Sequence, residues 1–109
     1  YNISSDILGY DVFEAQRDPK LINLTQYSQP MIFILSSILI DICREKLIKN
    51  SNKITLAGHS LGEYCALYFA KALNFEQMLK LVTTMSLMKF LCVGKITVTG
   101  KIMIYFVIL

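Results

Sequence analysis

The residues best suited to chemistry stand together in one short stretch, Gly58-His59-Ser60-Leu61-Gly62. Its pattern is GxSxG, in which a serine lies on a sharp strand-to-helix turn with its hydroxyl exposed as a nucleophile. The two glycines allow backbones to pass closely at such a turn. The N–H of Leu61 would then stabilise the oxyanion of a tetrahedral intermediate. The stretch therefore predicts acyl transfer or ester hydrolysis through Ser60.

This chemistry requires a strand before the serine and a helix after it. Ile54–Ala57 is a short apolar run between a polar loop and Gly58, which is typical of a buried parallel strand. The segment Leu61–Leu73 is predicted to be a helix. The N-terminus of that helix would direct unpaired N–H groups and the positive end of the helix dipole towards Ser60.

The most apolar part of the chain is predicted to be one core helix. Pro30 suits the first turn of a helix, and Met31–Leu47 continues it. Its first three turns are apolar on nearly all sides, which indicates a helix packed on both sides. The strongly apolar part, Met31–Ile40, is shorter than the roughly 20 residues that a membrane span needs. We therefore expect no membrane span.

Two further elements follow the serine stretch. Asn74 and Gln77 have the spacing of a capping box, which predicts a helix over Phe75–Met88 with Phe75, Met78, Leu79 and Val82 facing the core. Lys95–Ile102 alternates β-branched residues with others, which predicts a strand or hairpin. The order of helices and strands predicts an α/β fold with a parallel sheet.

Composition excludes several classes of protein. The chain has 109 residues, of which 54% are hydrophobic and 17% charged, so intrinsic disorder is excluded. A net charge of +3 without a block of basic residues does not indicate a nucleic-acid-binding protein. Cys43, Cys65 and Cys92 are widely spaced, so we expect buried free thiols, and neither disulfides nor a metal site. The apolar excess predicts the interior of a larger domain, truncated at both ends.

The other polar residues are predicted to have structural roles. Glu63 is interpreted as a first-turn acid that the helix dipole favours. Tyr64 and Tyr68 lie four residues apart on one helix face and are expected to pack. The acids near the start of the chain are too scattered for a metal site and are expected on the surface: Asp6, Asp11, Glu14 and Asp18.

The block from Gly58 to Leu67, GHSLGEYCAL, resembles the active-site block of the malonyl-CoA:acyl-carrier-protein transacylases. The resemblance covers about residues 7–82. The flanking segments that are similar to the family are Leu8–Asp11, Gln29-Pro30, Asn74-Phe75 and Leu81-Val82. The resemblance implies a partial acyltransferase α/β domain over residues 1–88. The tail, residues 89–109, does not match the family.

The resemblance implies two-step covalent catalysis in fatty acid biosynthesis. A serine at the position of Ser60 takes a malonyl group from malonyl-CoA, which is a substrate rather than a resident cofactor. The group then passes to the phosphopantetheine thiol of acyl carrier protein. Leu61 would contribute its N–H to the oxyanion hole, while Gly58, His59 and Gly62 would support the turn. Such enzymes work in bacterial cytoplasm or in the mitochondrial or plastid matrix.

Three features of that family are missing from this sequence. A downstream catalytic histidine is absent, and His59 cannot easily replace it because a neighbour on this turn points away from the serine oxygen. The family's N-terminal Gly-Gln-Gly loop is also absent. The arginine that binds the malonyl carboxylate falls at Met85, which cannot form a bidentate pair with a carboxylate. We therefore expect the chain alone to be inactive.

Three alternatives stay open. The chain could belong to the acyltransferase domain of a polyketide or multifunctional fatty acid synthase, which shares GHS-x-GE. It could be part of a serine esterase of the α/β-hydrolase type, although Glu63-Tyr64 after the elbow favours the transferase. The third alternative is a truncated product without catalytic activity.

Overall fold

Helices dominate the first half of the chain, and a small sheet follows. The computed structural model describes residues 1–50, 53–88, 95–98 and 102–106. The elements in that part of the chain are α1 Asn2–Leu8, α2 Val12–Ala15, α3 Thr25–Lys49, β1 Ile54–Gly58, α4 Leu61–Phe69, α5 Phe75–Met88, β2 Lys95–Val98 and β3 Ile102–Phe106. None of the helices in these ranges is long and apolar enough to cross a membrane.

The three strands form one mixed sheet in the order β1-β3-β2. β1 pairs with β3 in parallel, with Ile54 opposite Ile102 and Gly58 opposite Phe106. β2 and β3 pair antiparallel, as the predicted hairpin requires. The α/β class is therefore confirmed, while the sheet is parallel only between β1 and β3. Both β2 and β3 lie within residues 89–109, the tail that was expected not to match the family.

The core lies between α3 and α5 and is closed by α2. Met78, Leu79 and Val82 face this core, as predicted. The fully buried residues of the core are Val12, Phe33, Ile34, Met78, Leu79 and Val82. The Phe33 ring stacks on Phe75 with centroids 6.1 Å apart. The predicted capping box is present, because Asn74 Oδ1 accepts from the Gln77 N–H at 2.9 Å and Gln77 Oε1 accepts from the Asn74 N–H at 3.1 Å.

The structure corrects two predictions about α3. The helix begins at Thr25, so Pro30 lies inside it rather than in its first turn. The first turns hold because Leu24 O accepts the N–H groups of Tyr27 and Ser28, both at 2.9 Å. The prediction that α3 packs on both sides was also wrong, because only one of its faces is buried within the described residues. The opposite face is exposed: Ile32 52%, Leu35 53%, Leu39 55% and Ile42 70%.

Helix α4 ends at Phe69, four residues before the predicted end. Lys71 adopts a left-handed conformation with φ 57°. Its N–H donates to Tyr68 O at 3.0 Å, and the N–H of Ala72 donates to Leu67 O at 3.0 Å. These two bonds form a Schellman motif, which usually has glycine where this chain has lysine. The missing glycine explains why the sequence pattern predicted too long a helix.

Burial of the strand and of the thiols is also less than expected. In β1, Thr55 and Ala57 are exposed, because α4 covers only the other face of the strand. On that covered face Leu56 packs against Ala66 and Ala70 of the chain. Cys43 is exposed and Cys65 half-buried, so the prediction of buried thiols was wrong for Cys43. Cys92 lies outside the described residues.

The first two helices were not predicted. Gly9 ends α1 in a left-handed conformation, φ 76°, and its N–H donates to Ser5 O at 2.8 Å. Asp11 begins α2 by accepting the Glu14 N–H at 3.0 Å. Together these helices bring Val12 into the core.

Candidate active site

Ser60 lies at the turn that joins β1 to α4. β1 ends at Gly58 and α4 begins at Leu61, so the strand and helix that the pattern requires are both present. Ser60 itself has φ 54° and ψ −119°, a conformation that residues with a Cβ rarely adopt. The turn therefore holds Ser60 in a strained backbone conformation.

The hydroxyl of Ser60 is not used to stabilise the helix. Serine at an N-cap normally accepts a hydrogen bond from a backbone N–H of the first turn. Here Ser60 occupies the N-cap of α4, but its side chain makes no cap hydrogen bond and the residue is exposed. The oxygen is therefore free to meet a ligand from solvent.

The neighbours of Ser60 support the turn through their backbones. His59 is exposed, and its carbonyl accepts the N–H of Gly62 at 3.0 Å. Leu61 is half-buried and is the first residue of α4, where a helix leaves N–H groups unpaired. Gly58 lies against the first turn of α4, so that a side chain there would meet the backbone of Gly62 and Glu63.

Glu63 lies in the first turn of α4, as the sequence predicted. Its burial was not predicted, and the residue is only 5% exposed. Burial raises the pKa of its carboxyl above the ordinary value, while the positive charge of His59 and a hydrogen bond from the Ser60 N–H oppose that rise. The signal in the sequence was the spacing Ser60-x-x-Glu63, which is that of a capping box.

The remaining candidates lie further along the chain. Met85 is half-buried in the second half of α5, a different helix from the one that follows the serine. Tyr68 packs as expected, with its ring centroid 5.8 Å from that of Phe33. Tyr64 also packs against the core cluster. Within the described ranges, no three His, Cys, Asp or Glu side chains cluster as metal ligands would.

A strained serine between a strand and a helix, with helices on the sheet, is the arrangement of a nucleophile elbow in an α/β fold. The chain is 41% identical over 83 residues to the malonyl CoA-acyl carrier protein transacylase of Synechocystis sp., which covers 75% of the chain and 27% of the relative. It is 38% identical over 81 residues to the transacylase of the same name from Haemophilus influenzae, covering 72% and 26%.

A solved structure agrees with these relatives. The crystal structure of the Synechocystis sp. malonyl-CoA:ACP transacylase matches with a TM-score of 0.66 and 40% identity, covering 79% of this chain and 29% of that one. No family model matches the chain. The chain belongs to the malonyl-CoA:acyl-carrier-protein transacylase family. It spans about a quarter of the length of the curated relatives it matches.

Proposed function

We propose that Ser60 is the nucleophile of a transacylase that moves a malonyl group from coenzyme A to the phosphopantetheine thiol of acyl carrier protein in fatty acid biosynthesis. The observation that carries the proposal is the geometry of Ser60, with φ 54° and a hydroxyl outside the helix cap. The names of the relatives from Synechocystis sp. and Haemophilus influenzae support the choice of substrates. Malonyl-CoA is then a substrate and not a resident cofactor.

The proposed reaction has two steps. The Ser60 oxygen attacks the thioester carbonyl, the carbon–sulfur bond breaks, and coenzyme A leaves as a thiol with the proton of the serine. The thiol of the carrier protein then attacks the serine ester, the carbon–oxygen bond breaks, and the thiol proton returns to Ser60. In both steps the Leu61 N–H would donate to the oxyanion.

The other roles follow from the position of each residue. Gly58, His59 and Gly62 support the turn through their backbones. His59 is not assigned as the base, so the group that carries the proton must come from another part of the whole protein. No residue of this chain is assigned to the malonyl carboxylate, because the family's arginine position is Met85.

The proposal also covers organisation and compartment. Residues 1–88 form a partial acyltransferase domain, and residues 89–109 fall outside the resemblance. A bacterial cytoplasm and a mitochondrial matrix are both consistent with the relatives, which include bacterial proteins and a probable mitochondrial transacylase of Drosophila melanogaster. A plastid matrix is proposed from the family resemblance alone.

A chimera tests the proposal in a complete enzyme. Residues 7–88 of this chain would replace the corresponding stretch of the Synechocystis transacylase, and the product would be given malonyl-CoA and holo acyl carrier protein. We expect an ester at Ser60 by mass spectrometry and transfer to the carrier thiol. Ser60→Ala should abolish both, while Ser28→Ala, whose hydroxyl donates to Leu24 O at 3.3 Å, should retain them.

Other outcomes would overturn the proposal. Release of coenzyme A without transfer would identify an esterase, and absence of any ester at Ser60 would identify a non-catalytic segment. The 109-residue chain alone is expected to form no ester at the rate of the chimera, since removing one member of a catalytic triad abolishes most of the rate.

Polyketide synthesis is the second candidate function. Three relatives carry polyketide names, including the transacylase PksC of Bacillus subtilis, 35% identical over 82 residues, and the proteins ThaF and PksE. Offering the chimera carrier proteins of both kinds separates the candidates. Preference for the polyketide carrier would favour this second function over the first.

A further inference from the structure

Helix α4, which carries the candidate nucleophile at its N-terminal end, lies between two strained backbone residues. Ser60 precedes the helix with φ 54°, and Lys71 follows it with φ 57°. Among the described residues, these are the two non-glycine residues with a positive φ. Such conformations persist only where the surrounding structure holds them. The conformation of Ser60 therefore depends on the contacts that fix α4 in place.

The C-terminal end of α4 is completed by a side chain from another helix. Three of its last four carbonyls accept backbone N–H groups at 3.0 Å, those of Ala66, Leu67 and Tyr68. The Schellman motif that ends the helix does not use the fourth carbonyl, that of Phe69. The Phe69 oxygen accepts a hydrogen bond from Arg44 Nε of α3 at 2.8 Å. Arg44 therefore supplies the donor that a helix C-terminus needs from outside.

Two further contacts tie the same end of α4 to α3. The Arg44 guanidinium carbon lies 5.7 Å from the centroid of the Phe69 ring. Asp41, three residues earlier on α3, accepts a hydrogen bond from the Tyr68 hydroxyl, with 2.9 Å between the oxygens. Residues three apart lie on the same face of a helix. That face of α3 therefore holds two consecutive residues of α4.

The contact with Arg44 is only one short helix away from the nucleophile. α4 has nine residues, which at 1.5 Å per residue gives a length of about 13 Å. Rigid secondary elements carry coupling between separated groups. A displacement at the Phe69 end would therefore move the Leu61 end, which joins Ser60. A misplacement of about 1 Å can lower a reaction rate by up to about a hundredfold.

We propose that Arg44 is a positioning residue for Ser60: by holding the carbonyl of Phe69, it fixes α4 against α3 and keeps the nucleophile in its strained conformation. The consequence for acylation rests on the proposed function, whereas the contact between Arg44 and α4 does not. Arg44 lies at the end of α4 away from Ser60 and touches no reacting atom. It acts on the reaction through the position of the helix.

The role of Arg44 at the end of α4 is tested by urea unfolding of the 109-residue chain. Arg44→Ala should lower the unfolding midpoint, because the Phe69 carbonyl loses its donor. The same substitution should lower the midpoint less in a Lys71→Gly background, since glycine ends the helix without strain. Lys46→Ala is the matched control, because Lys46 is an exposed cation two residues further along α3, and it should change the midpoint little. Equal losses from Arg44→Ala in both backgrounds would show that Arg44 does not support this helix end.

The effect on catalysis is tested in the chimera, with the folded concentration measured by circular dichroism. Arg44→Ala should lower kcat for acylation of Ser60 by about tenfold with little change in KM, because a reacting group is misplaced. Arg44→Lys should recover part of that loss, since its ammonium can still donate to a carbonyl. Lys46→Ala should keep the full kcat. A loss confined to KM, or equal loss in Arg44→Ala and Lys46→Ala, contradicts positioning.

The two proposals fail in different ways. If Ser60 is never acylated in the chimera but Arg44→Ala and Lys71→Gly are coupled in unfolding, the proposed function is wrong and the contact at the end of α4 stands. If Ser60 is acylated at the full rate in Arg44→Ala, the function stands and the positioning role is wrong.

Discussion

The backbone of Gly62, in the first turn of α4, lies directly against the Cα of Gly58, the last residue of β1. A Cβ placed on Gly58 would collide with the carbonyl carbon and oxygen of Gly62, and would come within 2.5 Å of the backbone nitrogen of Glu63. Such backbone atoms cannot move aside as a flexible side chain can. The close approach of strand and helix at Ser60 therefore depends on glycine at position 58.

Gly58→Ala should destabilise the chain by about 2 kcal/mol, because the extra methyl group overpacks a contact between two backbones. Urea unfolding followed by circular dichroism measures the loss. Gly62→Ala is the matched control, since a Cβ at Gly62 meets nothing within 4 Å. That variant should be neutral, or more stable by up to about 1 kcal/mol, because alanine favours the helix. Equal destabilisation by both substitutions would contradict this account.

Sequence reasoning succeeded where local chemistry decides the structure. The Asn74 and Gln77 capping box predicted the start of α5, and the spacing of Met78, Leu79 and Val82 predicted its buried face. The strand before Ser60 was predicted from the apolar run Ile54–Ala57, and the helix after Ser60 from the segment that begins at Leu61.

Sequence reasoning failed where backbone conformation or tertiary contacts decide the structure. Lys71 ends α4 in a left-handed conformation that composition does not signal. The burial of Glu63 depends on how α4 packs beneath the turn, which a charge pattern cannot express. The need for glycine at 58 but not at 62 is likewise a matter of distance, because both positions fit the motif equally well.

Tyr68 should make stability fall at high pH. Its hydroxyl donates to the Asp41 carboxylate, 2.9 Å from Oδ2 and 3.1 Å from Oδ1. Burial, and then the hydrogen bond and charge of Asp41, raise the pKa of Tyr68 to about 12, against the opposing charge of Arg44. Between pH 10 and about 12 the unfolded chain loses this proton and the folded chain keeps it, so the free energy of unfolding falls as pH rises.

Tyr68→Phe isolates this contribution. The free energy of unfolding of wild type minus that of the variant should decrease between pH 10 and about 12, where the tyrosine ionises in the unfolded chain but not in the folded one. Tyr1→Phe removes a hydroxyl from a ring that is 48% exposed, and it should preserve the fall seen in wild type. A difference between wild type and Tyr68→Phe that is constant with pH would show that Tyr68 does not couple ionisation to folding.

Met85→Arg should increase selectivity for malonyl groups. The resemblance places the family's carboxylate-binding arginine at this position, and a charge-assisted pair with a carboxylate favours a dicarboxylic acyl group. In the chimera, the ratio of kcat/KM for malonyl-CoA to that for acetyl-CoA should rise by about tenfold, as a charged hydrogen bond allows. Met85→Leu controls for side-chain size. No change in the ratio with arginine would mean that Met85 does not face the acyl group.

Ser60→Gly should raise stability while abolishing acylation. A residue with a Cβ is strained at φ 54°, and glycine adopts this conformation without that strain. Ser60→Gly should therefore be more stable than Ser60→Ala by about 1 kcal/mol, because both variants lack the hydroxyl and only one retains a Cβ.

Lys71→Gly separates strain from function. Lys71 also has a positive φ, 57°, but it lies at the opposite end of α4. We expect Lys71→Gly to stabilise the chain by a similar amount, about 1 kcal/mol, and to leave acylation of Ser60 in the chimera unchanged. If Ser60→Gly proves less stable than Ser60→Ala, the turn does not strain the serine. The positive φ of Ser60 could then not be explained as strain that serves to expose a nucleophile.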